Sequence, residues 1–531
     1  MNAIPCLDEI PAEFGESMIQ EWISNWLTPI WILSLGCLFG QLILLALWGV
    51  TKLVSIPLGS GEDSKLERLV REVPLAINEG VLKPIWVGMT VASLFALCGW
   101  LLVEKPNDLL HSLGRIGRVG ITEKSFKIPP TPRDKFGEVS LGAETLIDFE
   151  FWGDELKTIV FDAQEQLVVT NQSSDDVSAA DSEITVLAGQ SYSWRRGNNS
   201  FMTFDDGFIE ELYVTNPGDD EATLFMTVTT APRFSQVYAI PLTAFLLIAA
   251  VLLYMGQRTL APRLSGIALS TYKSEVVQPL FFILSALGSA LIILFIFLPY
   301  NTFGDDIKMM KDTGFSLILI FCLVQLMWAA GNCISDEIDG RTALTVLSKP
   351  IGRRSFLVGK FLGISWVVFL LFAILSVTFI FCVAYKPIYD ARELSTTIDD
   401  FQPCFYEIQM SFPGLVLVLL EVILLTAVSV AVSTRLSLLA NFTVCSSIYV
   451  LGHLTPTLVQ SSLNQFPIVR FFATLIATIV PNLEAFNITA AIAADAHVPP
   501  VYLAYAFIYC AIYSIIAMLL AFLLFEDRDL A

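Results

Sequence analysis

Residues Phe356–Tyr385 read FLVGKFLGISWVVFLLFAILSVTFIFCVAY, thirty residues with a single charged side chain, Lys360. A helix rises about 1.5 Å per residue, so about 20 apolar residues cover a hydrocarbon core of about 30 Å. This run is long enough to cross a bilayer. Outward from it, eight more stretches share its character: 28–50, 84–103, 237–256, 279–299 and 314–333 before it, and 412–433, 437–456 and 502–525 after it. The 531-residue chain is 55% hydrophobic and only 15% charged, against roughly 25% charged in an ordinary soluble domain. The sequence therefore predicts an all-α polytopic membrane protein with about nine transmembrane helices, held in a lipid bilayer.

Charge orients it. The loops predicted to be cytoplasmic carry Lys52, Lys65, Arg68, Arg71 and Lys83, then Arg258, Arg263 and Lys273, then Arg341, Lys349, Arg353, Arg354 and Lys360, with Arg435 and Arg528. The opposite short loops hold Lys308, Lys311, Lys386, Arg392 and Arg470. The positive-inside rule puts the amino terminus outside and the carboxyl terminus in the cytoplasm, which nine crossings permit. Met1–Trp26 has no Lys or Arg, so the first apolar stretch is read as a retained helix and not a signal peptide. The net charge of −20 argues against nucleic acid as a partner.

The polar block 104–235 then faces away from the cytoplasm. Within it, short runs rich in β-branched and aromatic residues alternate with turn chemistry: Thr145–Trp152, Lys157–Phe161, Gln166–Thr170, Glu183–Leu187, Ser191–Trp194, Phe208–Val214 and Ala222–Thr229, with turns such as Asn216–Asp220. These predict an inserted extracytoplasmic β-sandwich-like domain. Its 23 acids against 11 bases leave two readings open, a solvated surface or a binding face for a cation or partner. Around it the chain divides into 1–103, two spans with a cytoplasmic amphipathic segment at 62–73; 236–256, a third span; and 257–531, a six-span core. In 257–278, Leu264, Ile267, Ala268, Thr271 and Glu275 share helical spacing, as an interfacial elbow helix would. Ile468–Ile479 is apolar but too short to cross, which suggests a re-entrant or interfacial hairpin. Cys6 and Cys404 fall in flanks predicted to be outside, where a disulfide is conceivable.

The most informative loop follows the fifth span: ISDEIDGRTALTVLSKP at 334–350, continued by IGRRSFLVGKFLG at 351–363. It reads as a short cytoplasmic helix of mixed charge with Leu344 and Leu347, stopped by Pro350 and followed by Arg353 and Arg354. Physics alone leaves two possibilities, a positive-inside anchor or a surface that a cytosolic partner presses on. The pattern of Glu337, Arg341 and Thr342, then Leu347, Ser348, Lys349 and Pro350, then Arg353, Phe356, Gly359, Lys360 and Gly363, resembles permeases of the type 2 ATP-binding-cassette (ABC) exporter family. Many relatives have Gly-Thr where this chain has Arg341-Thr342. The resemblance implies that 334–350 is the coupling helix, which docks on a separate ABC ATPase subunit through Glu337, Arg341, Thr342, Leu344, Leu347, Ser348, Lys349, Pro350, Arg353 and Arg354. A second match, Pro481, Asn482, Phe486 and Asn487, is similar to the outer re-entrant motif of that family. The resemblance covers roughly 257–531 and implies a second permease subunit, as a homo- or heterodimer, in a plasma (inner) membrane.

Glu421 lies mid-way along the seventh span, where a carboxylate facing lipid would cost about 2.5–3.5 kcal/mol. It is read as a pathway residue or as a neutral acid hydrogen-bonded between helices. Gly36–Gly40 and Gly359–Gly363 have the spacing that lets helices approach closely. His111, His453 and His497 are scattered, so no metal ligand set is predicted. No phosphate loop, Gly-x-Ser-x-Gly elbow or His-Glu-x-x-His pair occurs. The expected protein is not an enzyme and binds no cofactor itself; ATP acts through the partner. The alternatives are a receptor or scaffold that uses the β-domain without transport, and an intramembrane enzyme built on Glu421. The topology has a direct check: a cysteine introduced at Ser173 is expected to react with an impermeant maleimide in intact cells and one at Ser348 to be protected, the reverse pattern inverting the orientation.

Overall fold

A computed structural model describes residues 12–55, 72–78, 80–132, 144–171, 183–197, 204, 207–298, 305–339, 352–396, 398, 400–462, 467–488, 491–492 and 494–526. Among them, nine helices are long and apolar enough to cross a membrane: Trp22–Leu53, Leu82–Gly99, Ser235–Leu260, Pro279–Ile296, Asp306–Asp336, Arg353–Glu393, Gln402–Ser433, Leu438–Thr455 and Pro500–Glu526. Most run beyond the apolar stretches of the sequence, because a helix continues through its polar ends for as long as its backbone has no better partner. The chain forms two compact units, Lys105–Pro241 and the remainder. The predicted amphipathic segment 62–73 falls mainly outside the described residues, as does Cys6; Cys404 is buried with a free thiol in the helix Gln402–Ser433.

In the larger unit the spans 306–336, 353–393 and 402–433 are mostly buried and form the centre, while 500–526 and 438–455 present most of their surface outward. Lipid supplies no hydrophobic drive between helices, so close packing and interhelical hydrogen bonds must hold them. Asn441, fully buried, donates to the Met327 carbonyl at 3.2 Å and to Ser429 Oγ at 3.0 Å, joining three spans. Trp31 Nε1 donates to the Ala96 carbonyl at 2.8 Å and Ser93 to Gln41 at 2.8 Å, joining the first two. Lys311 pairs with Glu407 and Lys386 with Asp390, so these buried lysines face carboxylates, as their desolvation demands.

The helix Pro262–Val276 follows the third span and buries Ser265, Ile267, Ala268, Thr271, Tyr272 and Glu275; of the residues read as sharing one face, Leu264 alone is half-buried. It lies against the start of the helix Arg353–Glu393, and two glycines set the separation. A Cβ on Gly359 would stand 2.7 Å from Ile267 Cβ, and one on Gly363 would stand 2.6 Å from Thr271 Cβ and 2.7 Å from the Ala268 carbonyl oxygen. No side chain fits there.

The smaller unit is a two-sheet antiparallel sandwich. One sheet has the order β1-β8-β3-β6 and the other β2-β7-β4-β5, with β1 Ile121–Ile128, β2 Thr145–Trp152, β3 Leu156–Ala163, β4 Leu167–Thr170, β5 Ile184–Val186, β6 Tyr192–Arg195, β7 Phe208–Thr215 and β8 Ala222–Thr230. Successive strands mostly change sheet, and only β4 and β5 are both consecutive and paired. Both sheets contribute to one core that includes Phe149, Phe161, Trp194, Leu212, Val214, Leu224 and Val228. A bulge in β2 between Asp148 and Phe151 puts Glu150 at φ 49° and shifts the register with β7, which resumes at Phe151–Ile209 and Trp152–Phe208. The turn read at Asn216–Asp220 is built by Asn216, which accepts from Gly218 N at 2.9 Å and donates to the carbonyls of Ile128 and Asp220. Seven strands match sequence runs within a residue or two. The eighth, β1, was not foreseen: it is an edge strand bearing Glu123, Lys124 and Lys127, and charged edges discourage pairing with another chain while hiding the strand pattern.

The glycine contact gives the packing test. Gly363→Val is expected to lower stability in a detergent melting or denaturant series by about 1–3 kcal/mol, the usual cost of overpacking, whereas Gly352→Ala, with nothing within 4 Å of the new Cβ, is expected to leave it unchanged.

Candidate functional site

The span that begins at Asp306 does not stop cleanly. After Ala330 it widens into a π-helical turn, Gly331–Asp336, and continues as Glu337–Asp339. A π-turn inserts an extra residue into the helical ladder, and it often marks a functional site. Here it re-aims side chains toward a polar cluster. Cys333 donates its thiol to Glu275 Oε1 at 3.2 Å, and Gln278 Nε2 donates to the same oxygen at 2.7 Å. Gln278 Oε1 in turn accepts from Trp328 Nε1 at 2.6 Å and Asn332 Nδ2 at 3.1 Å. Lys360, nearly buried, donates to Glu337 Oε1 at 2.6 Å, and Ser335 donates to the Leu436 carbonyl at 2.9 Å. The elbow, the π-turn, the 353–393 helix and the connection between the seventh and eighth spans are thus tied to the residues that lead into segment 340–350.

Glu275 carries the electrostatic strain of this cluster. It is 2% exposed, and its Oε2 has no hydrogen-bond partner among the described residues. Burial pushes its pKa from 4.5 to about 7, opposed by the Cys333 hydrogen bond and by Lys360 and reinforced by Glu337. Of the residues read as docking positions, Glu337 is half-buried and turned inward to Lys360, and Arg353 and Arg354 are exposed, with Arg353 Nη1 donating to the Glu526 carbonyl at 3.0 Å. Arg341, Thr342, Leu344, Leu347, Ser348, Lys349 and Pro350 lie outside the described residues.

Residues 481–487 form a second site. The 13-residue helix Pro467–Ile479 rises only about 20 Å, short of a bilayer core. The chain then turns through Pro481–Leu483 into a short 3-10 turn, Glu484–Phe486. Leu483 is fully buried on Gly452, where a Cβ would come within 2.7 Å of the Leu483 Cγ, and Leu483 N donates to the Gly452 carbonyl at 3.2 Å. The last span holds the loop from its other side: Asn482 N donates to Tyr509 Oη at 2.7 Å, and Tyr502 Oη donates to the Ala485 carbonyl at 2.6 Å. Asn487 Nδ2 donates to Glu484 Oε1 at 3.1 Å, and Phe486 is buried.

Glu421 meets a histidine that sequence reasoning treated as scattered. His453 Nε2 lies 2.9 Å from Glu421 Oε1, and its Nδ1 lies 3.4 Å from Glu484 Oε2. Nothing in the sequence flags this trio, because its members lie more than thirty residues apart and are joined only by helix packing. Three carboxylates, Asp306, Asp390 and Glu393, also bring their oxygens within 4.8 Å of one another, and Asp390 is engaged by Lys386 at 2.8 Å.

Residues 242–530 match the family described as ABC-2 family transporter protein. The chain belongs to that family. No curated protein matches it. This ABC-2 protein is a multi-pass membrane permease of an ABC transporter: a transport component and not the ATPase, in a family that works with an ABC ATPase subunit. The match spans the helix Pro262–Val276, both sites and the last seven candidate spans from near the start of the third, and it leaves the β-sandwich and the first two spans outside.

The permease is expected to show a pH signature. Because the folded pKa of Glu275 is raised, the native state holds a proton that the unfolded chain has lost between pH 4.5 and about 7, so stability falls as pH rises through that window and levels off above it. Melting temperature followed across this range is expected to decline, and Glu275→Gln is expected to flatten the decline.

Proposed function

We propose that this chain is the membrane subunit of an exporter, in which a separate ATPase docks on residues 334–354 and drives the spans of two paired permeases. In this reading the docking side, with the carboxyl terminus, faces the cytoplasm, and the amino terminus and β-sandwich lie outside a plasma membrane. The six-span core 257–531 carries transport, and the first three spans with the sandwich are an added module. ATP acts through the partner, and the chain binds no cofactor itself.

The observation that carries this reading is that the π-turn and the residue after it bear two polar contacts, Cys333 to Glu275 of the helix Pro262–Val276 and Glu337 to Lys360 of the 353–393 helix. A force on the segment between Asp339 and Gly352 reaches those helices through Glu337–Lys360 and Glu275–Cys333, and through the glycine contact at Gly359 and Gly363. Packed cores repack between discrete states and do not deform smoothly, so a push at this end can shift helices along their length. ATP bound between partner subunits biases the equilibrium only through differential affinity for the two states. Glu337 then anchors the segment inward, leaving Arg341, Leu344, Leu347 and Lys349 to meet the ATPase. Charge at the docking segment agrees with the positive-inside rule.

Truncating one partner of a buried interfacial charge pair commonly costs about 2–5 kcal/mol, and tenfold in affinity is about 1.4 kcal/mol. Arg341→Glu combined with Lys349→Glu is therefore expected to reduce ATPase co-purification by well over tenfold while leaving permease yield and melting unchanged. Retained ATPase with full transport would make the segment an anchor. Loss of folding together with binding would make it a structural element.

A further inference from the structure

We propose that the cavity beside Glu421 binds a small organic cation, an amine or quaternary ammonium, seated between carboxylates and aromatic rings. The cavity is about 200 Å³, below the range of drug-sized pockets and suited to a compact ligand. Its lining includes Phe315, Glu421, Tyr449, His453, Phe486 and Asn487. Three aromatic rings around one space, with a carboxylate at its wall, supply what recognition of an ammonium uses: attraction to ring faces and one opposite charge.

Glu421 is the deciding group. It is 2% exposed, within a span, and only its Oε1 is engaged, by His453; its second oxygen accepts no hydrogen bond among the described residues. A carboxylate at membrane depth is costly unless paired, and a cation in the cavity provides the pairing that His453 leaves incomplete. The titratable groups facing it are His453 and Tyr449 from the eighth span, Glu484 from the 481–487 loop and Asp312 from the fifth span. Two carboxylates, Asp312 and Glu421, line the cavity beside one imidazole, and Glu484 meets that imidazole from its other nitrogen, so acidic groups outnumber the single base. The rings discriminate further, since a bare alkali ion keeps its water and gains little from a ring face, whereas a quaternary ammonium has no N–H to hydrate and presents methyl groups to the rings.

That such a cation is the transported substrate rests on the permease reading; its binding does not. The probe is radiolabelled choline, titrated by equilibrium dialysis onto the full purified chain in a maltoside detergent, with 3,3-dimethylbutanol as its uncharged isostere. Saturable binding is expected, displaced by unlabelled choline and not by the isostere or by sodium. Glu421→Gln is expected to weaken it by about tenfold or more, and Tyr449→Leu by roughly threefold to tenfold. Should Glu421→Gln lose its fold, Ser316→Trp, at the exposed rim of the same cavity, is expected to abolish binding while leaving the Glu421–His453 pair intact. Equal displacement by the isostere, displacement by sodium at equal concentration, no saturation at millimolar choline, or unchanged binding in the cavity variants would each overturn the proposal. ATPase co-purification, measured on the same preparations, reports the permease reading separately, so the two can fail independently.

Discussion

The approach of the elbow helix to the 353–393 helix is the contact on which the rest of the larger unit depends. It rests on the bare backbone at Gly359 and Gly363, and it brings the side chains of Ile267 and Thr271 and the Ala268 carbonyl into a groove that no other residue type would leave open. In lipid, where apolar surface alone does not favour one helix neighbour over another, such fit decides which helices meet. Once they meet, Glu275 and Lys360 are buried near Glu337 and Cys333, and the charges must be arranged within reach of one another or be neutralised. The polar cluster follows from the glycines.

This arrangement puts a strained carboxylate where a partner is proposed to press. Glu275 is held by a thiol and an amide, weak compensation for a carboxylate so deeply buried, and the lysine of the neighbouring helix is committed to Glu337. A small movement of the π-turn changes the distance between these groups and hence the energy of the cluster. Stored electrostatic strain of this kind lets two packings lie close in free energy, which a switching element requires. The 481–487 loop has another character: it is pinned by backbone hydrogen bonds and by tyrosines of the last span, and the Glu421–His453–Glu484 trio lies where it meets the bundle.

Much of the fold was legible in the sequence because its signals are local. Apolar runs of bilayer length gave the spans, and alternating β-branched runs separated by turns such as Asn216–Asp220 gave seven strands. The eighth strand escaped because Glu123, Lys124 and Lys127 interrupt its pattern, a consequence of its place at a sheet edge. The stretch between Ile334 and Pro350 was legible as a motif, but the π-turn at its start was not, since a bulge depends on what its side chains can reach. The inward pairing of Glu337 escaped for the same reason.

By itself, the sequence determined that this chain belongs in a membrane, roughly where it crosses, and that its carboxyl-terminal half resembles a transporter core. Those properties follow from hydropathy, charge and motif, which are summed along the chain. Only the tertiary structure decided that His453 stands between Glu421 and Glu484, that Glu275 shares a cluster with Cys333 and Lys360, and that aromatic rings from separate helices enclose one cavity. Such pairings bring together residues far apart in the chain, and they are fixed by which helices can approach closely enough to touch.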